Sequence, residues 1–270
     1  MLCMCGSLLT ANSYIHVCII TEQLNQRGYF AALQKLVKLL YEQNDNTKVT
    51  LVVHSMGGPV SLYFLTNVVN QEWKDTYIGN YITLAGAWSG SNGGIRTLLS
   101  GPPKNAFPKI DFRSLYRTLP SFYYLLPRVS VWNDTAIVIT PTRKYTASDY
   151  QRLFTDAGYP QGYTQFSGAG MEWPAPNVPT YCFYGLGHPT PMTFVYHGTE
   201  FPNAQPTVLN GDGDGTVNQQ SSEVCLRWAD SSYPFKRTIF HRVEHVAIVS
   251  DTSVLQAIGT IVGAPVNPIH

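Results

Sequence analysis

A serine, an aspartate and a histidine stand in this chain where acyl-transfer chemistry needs them. Val53-His54-Ser55-Met56-Gly57-Gly58 places Ser55 after a short apolar run and before two glycines. That is the pattern of a strand turning so sharply into a helix that the serine is left exposed above the sheet. The bland alternative is a helix amino terminus that Ser55 merely caps. Asn210-Gly211-Asp212-Gly213-Asp214-Gly215-Thr216-Val217 puts two acids in a glycine-rich loop after another apolar run, and His245 follows within Val243-Glu244-His245-Val246. A calcium loop is the competing reading of the acidic run, but it lacks the ligand ladder and closing glutamate of an EF-hand.

The roles follow from charge. Serine is a poor nucleophile at neutral pH, so His245 must take its proton, and a carboxylate must fix the imidazole tautomer and offset its developing charge. Asp214 and Asp212 both qualify: one can hold the turn while the other reaches the histidine. The oxyanion of the tetrahedral intermediate needs aimed donors, and the Met56 N–H, directly after the serine, is one. His54 is expected to point away from the serine as a packing or hydrogen-bonding residue, and His188, His197 and His241 are expected to be structural or solvent-facing.

These residues require elements to hold them. Phe30, Leu33, Leu36, Val37 and Leu40 recur at helical spacing, so Phe30 to Tyr41 is an amphipathic helix. Val49 to Val53 is too short for a buried helix and fits a central parallel strand ending at the serine. Val60 to Val69 reads as the following helix, with Pro59 tolerated in its first turn. Strands are expected at Tyr81 to Ala85, Tyr181 to Tyr184, Thr207 to Leu209 and Arg237 to His241. Helices are expected at Ser148 to Asp156, Ser221 to Trp228 and Thr252 to Ile261. The glycine- and serine-rich stretch from Gly86 to Pro103 is expected to be loop. Alternation of these units predicts an α/β fold built on a mostly parallel sheet with helices on both faces. The order Ser, Asp, His makes it the α/β-hydrolase fold. Residues 89 to 179, dense in Pro, Gly, Tyr and Trp, read as a cap insertion carrying specificity within a domain spanning 29–270.

Composition excludes other classes. Hydrophobic residues form 44% of the 270-residue chain and charged residues 13%, which gives a buried core and argues against disorder. Eighteen basic residues against seventeen acidic leave a net charge of +1, too weak a field for nucleic acid to be a partner. The five cysteines lack zinc-site spacing, since Cys3 and Cys5 are too close for a CxxC turn and Cys18, Cys182 and Cys225 form no second pair, so no metal is expected. No cofactor is required. Asn133-Asp134-Thr135 is a glycosylation sequon. Residues 1–28 form a divergent segment with a strand-like run from Tyr14 to Ile20 and no convincing signal peptide or membrane span.

With these residues in view, the chain resembles the family of lysosomal phospholipase A2 and lecithin:cholesterol acyltransferase from about Tyr29 to Gly263. The resemblance is carried by HSMG at His54 to Gly57, LYFL at Leu62 to Leu65, LAGAWSG at Leu84 to Gly90 and TPTRKYTASDYQRLF at Thr140 to Phe154. CFYGLGHPTP at Cys182 to Pro191 and GDGDGTVN at Gly211 to Asn218 complete it, and these two look closer to the phospholipase. The resemblance implies that Asp214 is the triad acid and that Cys182 and Cys225 form a disulfide. It implies cleavage of a fatty acyl ester of glycerophospholipids through a serine acyl-enzyme, with transfer to water or a lipid alcohol. The implied partners are phospholipid and lipid-alcohol substrates at a peripheral membrane or lipoprotein surface, and the implied location is the lysosomal lumen or the extracellular space. The aromatic residues of the insertion, Phe122, Tyr123 and Tyr124 among them, are expected to wall an acyl-chain site. The family also carries an early strand, a loop with a second oxyanion donor, a lid and a signal peptide. None is recognisable in residues 1–28, so the expectation is a chain short of its amino-terminal part. The alternative function is a catalytically impaired, lipid-binding remnant.

Overall fold

The computed structural model describes residues 5–10, 13–18, 28–101, 112–167 and 173–264, the first two segments as backbone only. Cys3 lies outside the described residues, as do the side chains of Cys5 and Cys18. The chain divides into two compact units, the first made of 1–88, 173–187 and 225–270, the second of 89–172 and 188–224.

The first unit opens with a hairpin, β1 (Cys5–Thr10) and β2 (Ser13–Cys18). Strand β2 overlaps the strand-like run expected from Tyr14 to Ile20, whereas β1 was not expected. CGSLLT has little strand character alone, and its ladder comes from antiparallel pairing with both β2 and β3. Helix α1 (Tyr29–Gln43) buries Phe30, Leu33, Val37 and Leu40 of the predicted stripe and leaves Leu36 half-buried at its margin. It leads to β3 (Val49–His54), buried along nearly its whole length. Helix α2 (Gly57–Tyr63) runs into a wider π turn at Phe64–Val68, so the expected single helix starts three residues early and changes pitch midway. Next come α3 (Gln71–Tyr77) and β4 (Ile78–Leu84).

The chain then enters the second unit. Gly93–Ser100 is helix α4 rather than loop: its glycines lie in the first turn, while Ile95, Leu98 and Leu99 share a face and are fully buried. Two short strands follow, β5 (Val138–Ile139) and β6 (Lys144–Tyr145). A capping box between Thr146 and Asp149 starts a 3-10 turn that continues into α5 (Tyr150–Asp156), the helix expected there.

In the first unit again, β7 (Thr180–Leu186) is flanked in sequence by Gly187. The second unit resumes with β8 (His188–Val195) and β9 (Thr207–Gly213). The first unit closes with β10 (Phe235–His241) and α6 (Thr252–Val262).

Its sheet has the order β10-β7-β4-β3-β1-β2, parallel from β10 to β3. Val52, Ile82, Leu84 and Phe183 from three adjacent strands pack with Val254 and Ile258 of α6. The second unit has its own four-stranded sheet, β6-β5-β8-β9, and its own core. Tyr123 belongs to that core: its ring is buried and its hydroxyl contacts the Arg117 carbonyl at 2.9 Å and the Tyr159 hydroxyl at 2.7 Å.

Candidate active site

Ser55 stands one residue beyond β3, and its amide donates to the Leu84 carbonyl of β4 at 2.9 Å, so the sheet ladder runs right up to it. The chain then reverses, leaving Ser55 with φ +55°, a left-handed conformation that a non-glycine residue adopts only when its surroundings impose it. The imposed turn is the elbow that the glycine pattern forecast. Gly58 explains part of that pattern: a Cβ there would lie 2.9 Å from the Trp88 ring. Val53, which stands where the usual motif has glycine, is buried and paired with Thr83 of β4. The substitution is absorbed by the core.

Below the elbow, the Ser61 hydroxyl donates to carbonyl oxygen of the helix's first turn, at 2.6 Å from Gly57 O and 2.9 Å from Gly58 O. It also meets the Tyr81 hydroxyl at 2.7 Å, and Tyr81 donates to Gly58 O at 2.9 Å. This buried pair braces the turn that carries Met56. Met56 itself has φ −58° and ψ −22°, so its N–H belongs to the opening turn of α2, where amides lack an intrahelical carbonyl.

His245, on the turn between β10 and α6, brings its Nε2 to 2.8 Å from Ser55 Oγ. Both residues are buried. An imidazole that accepts at Nε2 carries its proton on Nδ1, and that N–H needs an acceptor.

Asp214 belongs to the second unit, immediately after β9. Its Oδ1 accepts the amides of Thr216 at 3.0 Å and Val217 at 2.7 Å, which closes an Asx-type turn and fixes the carboxylate. The same loop is gripped from β8, where the Thr190 hydroxyl lies 2.9 Å from the Gly215 amide and 2.9 Å from the His188 carbonyl. A Cβ at Gly213 would collide with the Val217 carbonyl at 2.3 Å, so the loop requires glycine there. Thus the HPTP run of one motif holds the GDGDGT run of the other. The two acids differ: Asp214 is 1% exposed, whereas Asp212 is exposed and takes the adjacent Gly213 amide at 2.7 Å.

Cys182 of β7 and Cys225 are joined by a disulfide. Asn133 is exposed at the end of a short helix. His197 and His241 are exposed and His188 is half-buried. His54 is hydrogen-bonded, as one of its expected readings has it, but the partner was not foreseen: its Nε2 lies 2.7 Å from the His245 carbonyl oxygen. The sequence holds no sign of that contact, since its partner is a backbone atom 191 positions away.

A left-handed serine between a parallel strand and a helix, within reach of a histidine beyond the last strand, is how α/β hydrolases are built. The same fold relates the chain to a solved structure described as the Tle4-Tli4 complex, with a TM-score of 0.51 and 16% identity over 89% of this chain and 64% of that one. A family model described as lecithin:cholesterol acyltransferase matches residues 21–173 and 159–252. Phosphatidylcholine-sterol acyltransferase of Gallus gallus is 37% identical over 210 residues, covering 75% of this chain and 50% of that protein. Lysosomal phospholipase A and acyltransferase of Rattus norvegicus is 38% identical over 212 residues, covering 76% and 50%. The Homo sapiens protein of the same name is 37% identical with the same coverage. The chain belongs to the lecithin:cholesterol acyltransferase family, and it spans about half the length of these relatives.

Proposed function

We propose that this chain is a lipid acyl hydrolase and acyltransferase working through a serine acyl-enzyme, with Ser55 as nucleophile, His245 as base and Asp214 as the orienting acid. The observation that carries this reading is the 2.8 Å contact between His245 Nε2 and the oxygen of a serine held in the left-handed region. Ser55 Oγ attacks the ester carbonyl as its proton passes to His245 Nε2, and the carbonyl oxygen becomes an oxyanion. The Met56 N–H donates to that oxyanion. Collapse expels the alcohol, which takes the proton back from His245 and leaves the acyl group on Ser55. A water or a lipid alcohol then attacks the acyl-enzyme, giving up its proton to His245, and the acid or new ester departs as the proton returns to Ser55.

Asp214 is favoured as the acid over Asp212 because it is buried and fixed by two amides, and because the family motif matches it. The names of the relatives, which include phospholipase A and sterol acyltransferase, support a phospholipid as acyl donor. Work at a membrane or lipoprotein surface follows from such a substrate. None of the helices among the described residues is long and apolar enough to cross a membrane. The disulfide and the exposed Asn133 sequon support an oxidising compartment, the lysosomal lumen or the extracellular space.

The test is release of fatty acid from phosphatidylcholine liposomes by the purified chain against Ser55→Ala. Loss of turnover by about 10⁴-fold or more in the variant is expected. Equal release by the two proteins overturns the enzymatic reading and leaves a lipid-binding remnant.

A further inference from the structure

The residue that precedes the nucleophile in sequence reaches the base in space. His54 is the last residue of β3, paired with Leu84 of β4, so its backbone is fixed in the middle of the sheet. Its Nε2 lies 2.7 Å from the backbone oxygen of His245, and the two imidazole rings stand 4.8 Å apart at 43°. A carbonyl oxygen only accepts, so His54 Nε2 carries the hydrogen of this bond. The nitrogen is thereby committed as a donor to His245's backbone, which sets His54 apart from the base itself.

His245 sits on the turn between β10 and α6, flanked by the exposed residues Glu244 and Val246. Its distance to Ser55 must be set across 190 positions of sequence. The His54 bond does this by the shortest route, tying the base's own peptide group to the residue next to the nucleophile.

We propose that His54 is a positioning residue for acyl transfer: its Nε2–H···O=C bond to His245 holds the imidazole in register with Ser55 Oγ. This rests on reading Ser55 and His245 as the working pair. Misplacement of a reacting group by about 1 Å costs about 100-fold in rate, so loss of the bond lowers kcat and leaves substrate binding intact.

The experiment measures kcat and KM on a soluble short-chain chromogenic ester, the rate of Ser55 labelling by a fluorophosphonate, and thermal melting, for the whole chain and four variants. His54→Leu removes the donor. His54→Asn keeps an amide donor on a shorter side chain that falls short of the carbonyl, and His54→Gln places an amide nitrogen near the reach of Nε2. The expected result is a fall in kcat of about 10- to 100-fold for Leu and Asn with KM unchanged. Labelling slows in parallel, and Gln stays within a few-fold of the parent. Parent-like kcat in His54→Leu overturns the proposal, as does equal loss in Gln and Asn at unchanged melting temperature. If His54→Leu does not fold, the Gln and Asn pair still decides. Ser55→Ala, the fourth variant, separates the two readings. Ester turnover surviving in it removes the underlying mechanism, whereas abolished turnover there with parent-like kcat in His54→Leu removes only the positioning role.

Discussion

Ser55 occupies a conformation that costs about 1–3 kcal/mol for a residue with a side chain, and the surrounding structure supplies the compensation. The Leu84 carbonyl takes its amide, the Ser61 and Tyr81 hydroxyls fasten the following turn, and Trp88 packs where Gly58 has no side chain. The glycines after Ser55 made this turn legible in the sequence. The choice between Asp212 and Asp214 was not legible from residue types, because two carboxylates two positions apart in a glycine-rich run look alike until burial separates them. It predicts a contrast. Asp214→Asn is expected to lower kcat about 10⁴-fold, the cost of the wrong imidazole tautomer, while Asp212→Asn stays within a few-fold, both measured by ester turnover at constant pH. Comparable losses in the two variants would remove the assignment of Asp214.

Among the elements, those with uninterrupted periodicity were readable and those with mixed composition were not. Helix α1 and strand β3 emerged close to their expected bounds, because one apolar stripe or one branched run decides each. Strand β8 escaped notice: Pro189 and Pro191 argue against a strand, yet they stand two apart, so both missing N–H groups fall on one edge. Helix α4 was hidden by its glycines, although its buried Ile95, Leu98 and Leu99 were in plain view. Helix α6, which follows the His245 turn, shows how a boundary is enforced. Asp251 Oδ1 accepts the amides of Ser253 at 2.9 Å and Val254 at 3.2 Å and the Ser253 hydroxyl, and Gly263 closes the far end with φ +71°. Replacing Asp251 with alanine is expected to cost about 1 kcal/mol in urea unfolding at pH 7. The hydroxyl of Ser253, helped by the amides of Val254 and Ser253, holds the Asp251 carboxyl below its ordinary value against the opposing effect of burial. A depressed carboxylate contributes its stability above the unfolded value of about 4 and loses it as pH falls through the folded value. The gap between parent and Asp251→Ala should therefore narrow at pH 3, and a gap of equal size at both pH values would contradict the capping role.

At the scale of the whole molecule, the chain passes between its two units four times. The disulfide brackets two of these passages, out at 187–188 and back at 224–225. Cys182 and Cys225 both lie in the first unit, with a sequence separation of 43, and between them runs the stretch that carries Asp214. Closing a loop of this length in the unfolded chain is worth about 4 kcal/mol in the chain-entropy account. The double variant Cys182→Ala/Cys225→Ala should lose about that much in chemical denaturation, and a loss below about 1 kcal/mol would show that the bond constrains little.

The amino-acid sequence determined the chemistry available and its framework: a serine elbow, an acid loop, a late histidine, and the helix and strand periodicities between them. These are local properties, fixed by side-chain type, by glycine's backbone freedom and by burial repeating at 3.6 or 2 residues. Tertiary structure decided what depends on distant partners. It gave the hairpin Cys5–Cys18 a neighbour in β3, and it buried Tyr123 in the core of the second unit. It set Asp214 apart from Asp212 by burial, and it placed the imidazole of His54 on the carbonyl of His245. The hairpin's pairing and the His54 bond each rest on a partner far along the chain, and burial depends on how the whole chain packs, so no local pattern records them.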